Sequence, residues 1–286
     1  MQLIVRCPAK VNLTLDVKGV RSDGYHNIES IMQTISLYDY LTFSVSPAKK
    51  FSIVLRGNKP NIPYDEKNLV YKAINLVISE NPKIPPSSIE VYLEKNIPTE
   101  AGLGGGSADA AGAIWAMNKI FKLNLSKDKI NMLCGALGSD LNVCYWGGTS
   151  VATSRGEKIQ SAPFRPQKLS IIKPLNFGIS AKDGYRMYDE LNLNLKFSHT
   201  TALLSALERN EHIEHLLHND LEIAPLQRFE ILREIKNLYP RSIMTGSGSA
   251  FFVLEHVNKT LPEEFYQTIS GLEFVDSGVE EVLNFN

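Results

Sequence analysis

Pro98-Thr99-Glu100-Ala101-Gly102-Leu103-Gly104-Gly105-Gly106-Ser107-Ala108 is the stretch whose reading decides the fold. Glycine fills four of the five positions from 102 to 106, so the backbone is free to take positive φ and to approach a ligand without interference from Cβ atoms. Upstream, Ile89, Val91 and Leu93 alternate as a strand running into the loop. Downstream, Ala110, Ile114, Met117 and Phe121 recur at helical steps, with Ser107 placed to cap that helix. A glycine loop feeding a helix start presents unpaired N–H groups and the positive end of a helix dipole, which suits a polyphosphate. A tight connector would need fewer glycines. A Walker A loop is excluded, because Gly106 is followed by Ser107-Ala108 and no lysine is present to reach the phosphates. A dinucleotide fingerprint fits poorly: residue 107 is serine where the third glycine belongs, and the strand ends several residues before Gly102.

Outward from the loop, the chain opens with strands. Leu3-Ile4-Val5 leads to Pro8, and Val11, Leu13, Leu15 and Val17 alternate with polar residues. Gly19 and Asp23-Gly24 mark a turn, with further strands expected at Ile31 to Ile35, Leu41 to Val45 and Phe51 to Leu55. Asn68 to Ile78 has helical spacing, and a helix starting at Ser126 should end at Gly138. Strand and turn texture surrounds Gly147 to Gly156, and Leu169 to Ile172 and Phe251 to Leu254 read as strands. Thr200 to Leu238 reads as mostly helical. Strands followed by helices point to an α+β fold, divided near residue 155 into an N-terminal part, 1–155, and a C-terminal part, 156–286.

At 286 residues the chain is long enough for two compact domains. Thirty basic and 31 acidic side chains leave a net charge of −1, which argues against a broad nucleic-acid footprint. No apolar run approaches a membrane span, and the N-terminus lacks a secretory core. Cys7, Cys134 and Cys144 form no Cys-x-x-Cys pair, and reduced, buried thiols in a cytoplasmic protein are expected.

The motifs together resemble the GHMP superfamily of small-molecule kinases. Its central motif is similar to Pro98 to Ser107, its N-terminal motif to Pro8-Ala9-Lys10-Val11-Asn12-Leu13, and its C-terminal motif to Thr245-Gly246-Ser247-Gly248-Ser249. Arg21-Ser22-Asp23-Gly24-Tyr25-His26, Leu137-Gly138-Ser139-Asp140 and Asn219-Asp220-Leu221-Glu222 resemble the branch that acts on a cytidine diphosphate-linked substrate. Homoserine or mevalonate kinases, or a non-catalytic nucleotide-binding relative, are the alternatives.

The resemblance implies two α/β domains with the active site in the cleft between them, ATP with Mg²⁺ as the phosphoryl source, and a small-molecule acceptor. It places Pro98, Gly102, Leu103, Gly104, Gly105, Gly106 and Ser107 on the ATP phosphates, and Asn68 and Lys95 on the adenine side. Asp140 becomes the general base, and Lys10 the cation that lowers its pKa and stabilises developing charge. Asn12, on the same strand face as Lys10, would hold the substrate hydroxyl. Tyr25 would stack on the cytosine, His26 would hydrogen-bond its edge, and Tyr185 would form a second aromatic wall. Thr245, Gly246, Ser247 and Gly248 form the third glycine motif. No protein metal cluster is expected: His212, His215 and His218 step around a helix and read as a solvated face. A monomer or homodimer is equally compatible. Two positions depart from the superfamily pattern: Glu100 places a carboxylate in the loop and is expected to point to solvent, and Asn142 stands where a proline is usual.

Overall fold

The computed structural model describes residues 1–193, 197–254, 257 and 261–283. Its framework is a long antiparallel hairpin of β1 (Gln2–Val20) and β2 (His26–Pro47). β1 runs straight through Pro8. The strand shifts register between Pro8 and Ala9, and that irregularity accommodates a residue with no N–H to donate. Two more shifts, between Asn12 and Thr14 and between Val17 and Gly19, bend the hairpin.

The first sheet grows from this hairpin. β3 (Ser52–Gly57), α1 (Leu69–Glu80) and β4 (Ser87–Glu94) follow in sequence, and β4 pairs with the outer half of β2. Next come α2 (Gly105–Ile120), α3 (Lys127–Leu137), α4 (Leu141–Trp146), β5 (Thr149–Ser154) and β6 (Lys158–Ser161). β5 pairs with the inner half of β2 and with β6. The central helix α2 is buried along nearly its whole length, which its alanines and Gly112 permit. A Cβ on Gly112 would overlap the Cys7 sulfur, so this glycine sets how closely α2 lies on β1.

The second half contributes β7 (Lys168–Pro174), α5 (Ala181–Asp189), α6 (His199–Glu208), β8 (His218–Asn219), α7 (Ile223–Arg228), α8 (Glu230–Leu238), β9 (Ile243–Met244), β10 (Phe251–Val253), β11 (Tyr266–Glu273) and β12 (Glu280–Glu281). A four-stranded sheet runs in the order β11-β7-β10-β9. β8 and β12 join the first sheet instead, each pairing with β1. The fold is α+β. The expected helical stretch from 200 to 238 is interrupted by a 3-10 turn and by β8, because His218-Asn219 pairs with Thr14-Leu15 instead of continuing a helix. Among the described residues no helix is long and apolar enough to cross a membrane.

Candidate active site

The glycine loop lies between β4 and α2, and Gly104, in the left-handed region at φ +71°, is the residue that caps α2. Ser107 is therefore not the cap. It sits inside the first turn, because three consecutive glycines let the helix begin earlier than a serine cap would. No side chain caps this helix start, which leaves its N–H groups available to an anion.

Two neighbouring motifs hold the loop. The Lys10 N–H donates to the Leu103 carbonyl at 3.0 Å, and the Ala250 N–H donates to the Ala101 carbonyl at 3.2 Å. Gly102, at φ +72°, packs so closely on the third glycine motif that a Cβ there would overlap the Thr245 carbonyl. The Thr245 hydroxyl accepts from the Asn12 N–H at 3.1 Å and reaches the Gly102 carbonyl at 3.3 Å. Asn219 in turn donates to the Gly246 carbonyl at 2.8 Å, and a Glu222 carboxylate oxygen accepts from the Met244 N–H at 2.6 Å. The Asn219-to-Glu222 motif thus clasps the glycine turn, a role with no local sequence signature.

Lys10 and Asp140 come together beside Gly104. Lys10 is 2% exposed, its Nζ donates to Asn12 Oδ1 at 2.7 Å and lies 3.5 Å from Asp140 Oδ2. Asn12 spends its amide on the Ser30 hydroxyl, 2.8 Å away, so its carbonyl oxygen stays turned to the lysine. Asp140 occupies the capping position of α4 but makes no side-chain capping bond. Its carboxylate is thereby left for the cleft. The backbone beneath it is fixed by Asn142, which is 2% exposed and donates to the Glu157 carbonyl at 2.7 Å. This side chain anchors α4 where a proline would have fixed φ.

A cleft of about 610 Å³ opens from Lys10 and Asp140 toward Tyr25, His26 and Tyr185. His26 stacks on Tyr185 with ring centroids 4.6 Å apart and planes at 16°, and its Nε2 meets Asp189 at 2.8 Å. Burial pushes the Tyr185 hydroxyl pKa far above the ordinary phenol value, with the Asp140 charge adding to it. Tyr25 is 56% exposed, and the Arg155 guanidinium lies over its ring at 5.0 Å. Asp189 and Arg155 had no motif to point to them. Each is identified only by the partner that the fold brings against it.

A second chamber of about 310 Å³ lies along the glycine loop, lined by Lys95, Pro98 and Gly104 to Gly106. The two chambers share Gly102, Gly104, Ala181 and Ser247. Glu100 is exposed, as expected, but it also borders this second chamber and leans on Gly178. Asn68 caps α1 through its side-chain oxygen, which accepts from the Val70 N–H at 2.9 Å. Lys95 lies beneath Gly105, paired with Asp39 and, at 2.8 Å, with Asp109. Burial alone would lower the Lys95 pKa, but the two carboxylates outweigh it and hold the ammonium above its usual value.

A buried cation and a carboxylate 3.5 Å apart, beside a glycine loop at a helix start, are parts that phosphoryl transfer to an alcohol can use. The family comparison agrees. Residues 68–148 match the model of the GHMP kinases N terminal domain. A 4-diphosphocytidyl-2-C-methyl-D-erythritol kinase from Clostridium botulinum (strain Alaska E43 / Type E3) is 40% identical over 256 residues, spanning 87% of this chain and 89% of its own. The chain belongs to the 4-diphosphocytidyl-2-C-methyl-D-erythritol kinase family. The family's Carboxydothermus hydrogenoformans member is 34% identical over 281 residues, 96% of each chain. A crystal structure of 4-(cytidine 5'-diphospho)-2C-methyl-D-erythritol kinase superposes with a TM-score of 0.74 at 27% identity, covering 96% of this chain and all of that one. As a member of this family the chain is an ATP-dependent small-molecule kinase with the GHMP fold.

Proposed function

We propose that this family member transfers the γ-phosphoryl group of ATP to the 2-hydroxyl of 4-diphosphocytidyl-2-C-methyl-D-erythritol, an isoprenoid precursor. The observation that carries the reading is the 3.5 Å approach of Lys10 to Asp140 at the point where the two chambers meet. In this reading the ATP phosphates lie along Gly102 to Ser107 at the uncapped start of α2, with Pro98 and Leu103 shaping the loop and Asn68 and Lys95 on the adenine side. The acceptor occupies the larger cleft. Its hydroxyl gives its proton to an Asp140 oxygen, the freed electron pair attacks the γ-phosphorus, and the bond to the bridging β–γ oxygen breaks to release ADP. Lys10 offsets the charge that develops, and Asn12, expected to hold the acceptor hydroxyl, is engaged by Lys10 and Ser30 and instead positions Lys10.

Specificity follows from the aromatic end. With His26 Nε2 donating to Asp189, Nδ1 is left as an acceptor, complementary to the exocyclic amino group of cytosine. Tyr25 offers a ring face to the base, and Tyr185 supports His26 from behind. Mg²⁺ fits the donor chemistry near the phosphates: the Ser107 hydroxyl has no protein hydrogen bond among the described residues, and the nucleotide oxygens complete the hard oxygen shell this ion requires. When bound it neutralises phosphate charge. The same reading keeps 1–155 as the ATP-binding and catalytic part and 156–286 as its C-terminal partner, in a cytoplasmic monomer or homodimer.

The deciding experiment measures ATP-dependent phosphorylation of the purified chain's proposed acceptor by ³¹P NMR of the product. Turnover of 4-diphosphocytidyl-2-C-methyl-D-erythritol with homoserine and mevalonate inert supports the reading. Turnover of either of those alcohols with the cytidine substrate inert overturns it.

A further inference from the structure

Of the three histidines read as a solvated helical face, His212 and His215 are exposed, but His218 is not on a helix. His218 lies in β8, half-buried, and stacks on His199 at the start of α6, with ring centroids 3.5 Å apart and planes at 14°. Asp16 of β1, fully buried, accepts from the His199 ring Nδ1 at 3.0 Å and from the Thr200 N–H at 2.8 Å. His218 Nε2 meets Asp220 at 2.7 Å, and the other Asp220 oxygen accepts from the Val17 N–H at 2.7 Å. Leu15 lines the acceptor cleft, so strand alternation turns Asp16 away from it.

We propose that Asp16, His199 and His218 form a site for a divalent transition-metal ion, zinc in the first instance, separate from the phosphoryl-transfer centre. One ligand atom from each lies within 4.8 Å of the other two. Four-coordinate zinc with legs of about 2.0 Å holds its ligands roughly 3.3 Å apart. The 3.0 Å spacing of Asp16 and His199 is already close to that. The stacked rings have to tilt open for one ion to lie in both ring planes, and His218 ligates through Nδ1 because Nε2 is held by Asp220. A carboxylate behind an imidazole is the arrangement that orients metal-ligating histidines. Two nitrogens and one oxygen favour zinc, nickel or copper over magnesium, which demands an oxygen shell. The side chains of His199 and His218 are 28% and 25% exposed, which leaves a path for the ion and room for a water in the fourth position. Such an ion would tie α6 to β1 and β8, next to the Asn219 that clasps the third glycine motif.

The test uses the untagged full chain and does not depend on activity. Calorimetric titration is expected to show one equivalent of Zn²⁺ bound and none of Mg²⁺, with the unfolding temperature rising with Zn²⁺ concentration. His199→Asn and His218→Asn should each weaken Zn²⁺ binding by roughly tenfold or more. Should either variant fold poorly, the unmodified protein still decides. Substoichiometric Cu²⁺ should broaden the imidazole proton signals of His199 and His218 and spare those of His212 and His215. Absence of Zn²⁺ binding, unchanged affinity in the variants, or equal broadening of all four histidines would each overturn the site.

Discussion

Asp140 sits where a helix-capping aspartate would sit, yet it makes no capping bond, and its carboxylate faces an ammonium instead. A group that removes a proton in the transition state contributes about 10²–10⁴ in rate. Asp140→Asn keeps the shape and removes the basicity, so kcat should fall by roughly 10³ while ATP affinity, measured by calorimetry, stays within about twofold. A parallel loss of ATP affinity would show that the carboxylate serves the nucleotide site. Gly104 is constrained differently. Its φ of +71° disfavours any Cβ, and one placed there would stand 3.0 Å from the Lys10 Cγ. Gly104→Ala carries roughly 1–2 kcal/mol of backbone strain and also pushes on Lys10. Steady-state kinetics should show kcat reduced and KM for ATP raised together, since one residue shapes both the phosphate cradle and Lys10.

Among the secondary-structure elements, legibility followed how local the determining interaction is. Asn68 and Ser126 cap their helices with their own side chains, and Gly138 ends α3, so these boundaries were readable from neighbouring residues. The start of α2 was misplaced by three residues because a left-handed glycine, not the serine, turns the chain there. β8 and β12 are two-residue strands defined only by pairing with β1, and no period is visible at that length. The same division holds for the site. Lys10, Asn12 and the glycine loop were legible from motifs, whereas Ser30, Asp189 and Arg155 matter only through partners far along the chain. Asn142 shows how an element can be fixed by another device than the usual one. Its amide spans from α4 to the Glu157 carbonyl, while its own Oδ1 has no partner among the described residues. Asn142→Ala removes the anchor and takes its donor from the half-buried Glu157 carbonyl, at a cost of about 1 kcal/mol. Urea unfolding should report that loss, and kcat should drop severalfold as Asp140 loses its firm footing, with KM for ATP little changed.

For the whole molecule, the two chambers depend on a buried charge cluster that no adjacent residues announce. Asp39 lies on β2, Lys95 at the exit of β4 and Asp109 on α2, and the three meet under the glycine loop. Asp39 also accepts the N–H groups of Asn96 and Ile97, at 2.6 and 2.8 Å, so it fixes the path by which β4 enters the loop. Burial raises the Asp109 pKa well above the ordinary carboxylate value, against the pull of Lys95 and with the help of Asp39. The folded state therefore holds the Asp109 proton more tightly than the unfolded chain does. That contribution is complete below the unfolded carboxyl value of about 3.9 and is lost as pH rises through the higher folded value. Asp109→Asn keeps a neutral, polar side chain and removes the titration. Relative to this variant, the wild type should lose stability as pH is raised from about 4, visible as converging or crossing urea midpoints. Asp39→Asn tests the other side of the cluster: it weakens the partner of a buried ammonium and of two backbone donors, and about 3 kcal/mol or more should disappear at neutral pH. Equal, pH-independent losses in the two variants would mean that the carboxylates share the charge evenly. A small loss for Asp109 and a large one for Asp39 would place the negative charge on the strand, directly behind the glycine loop.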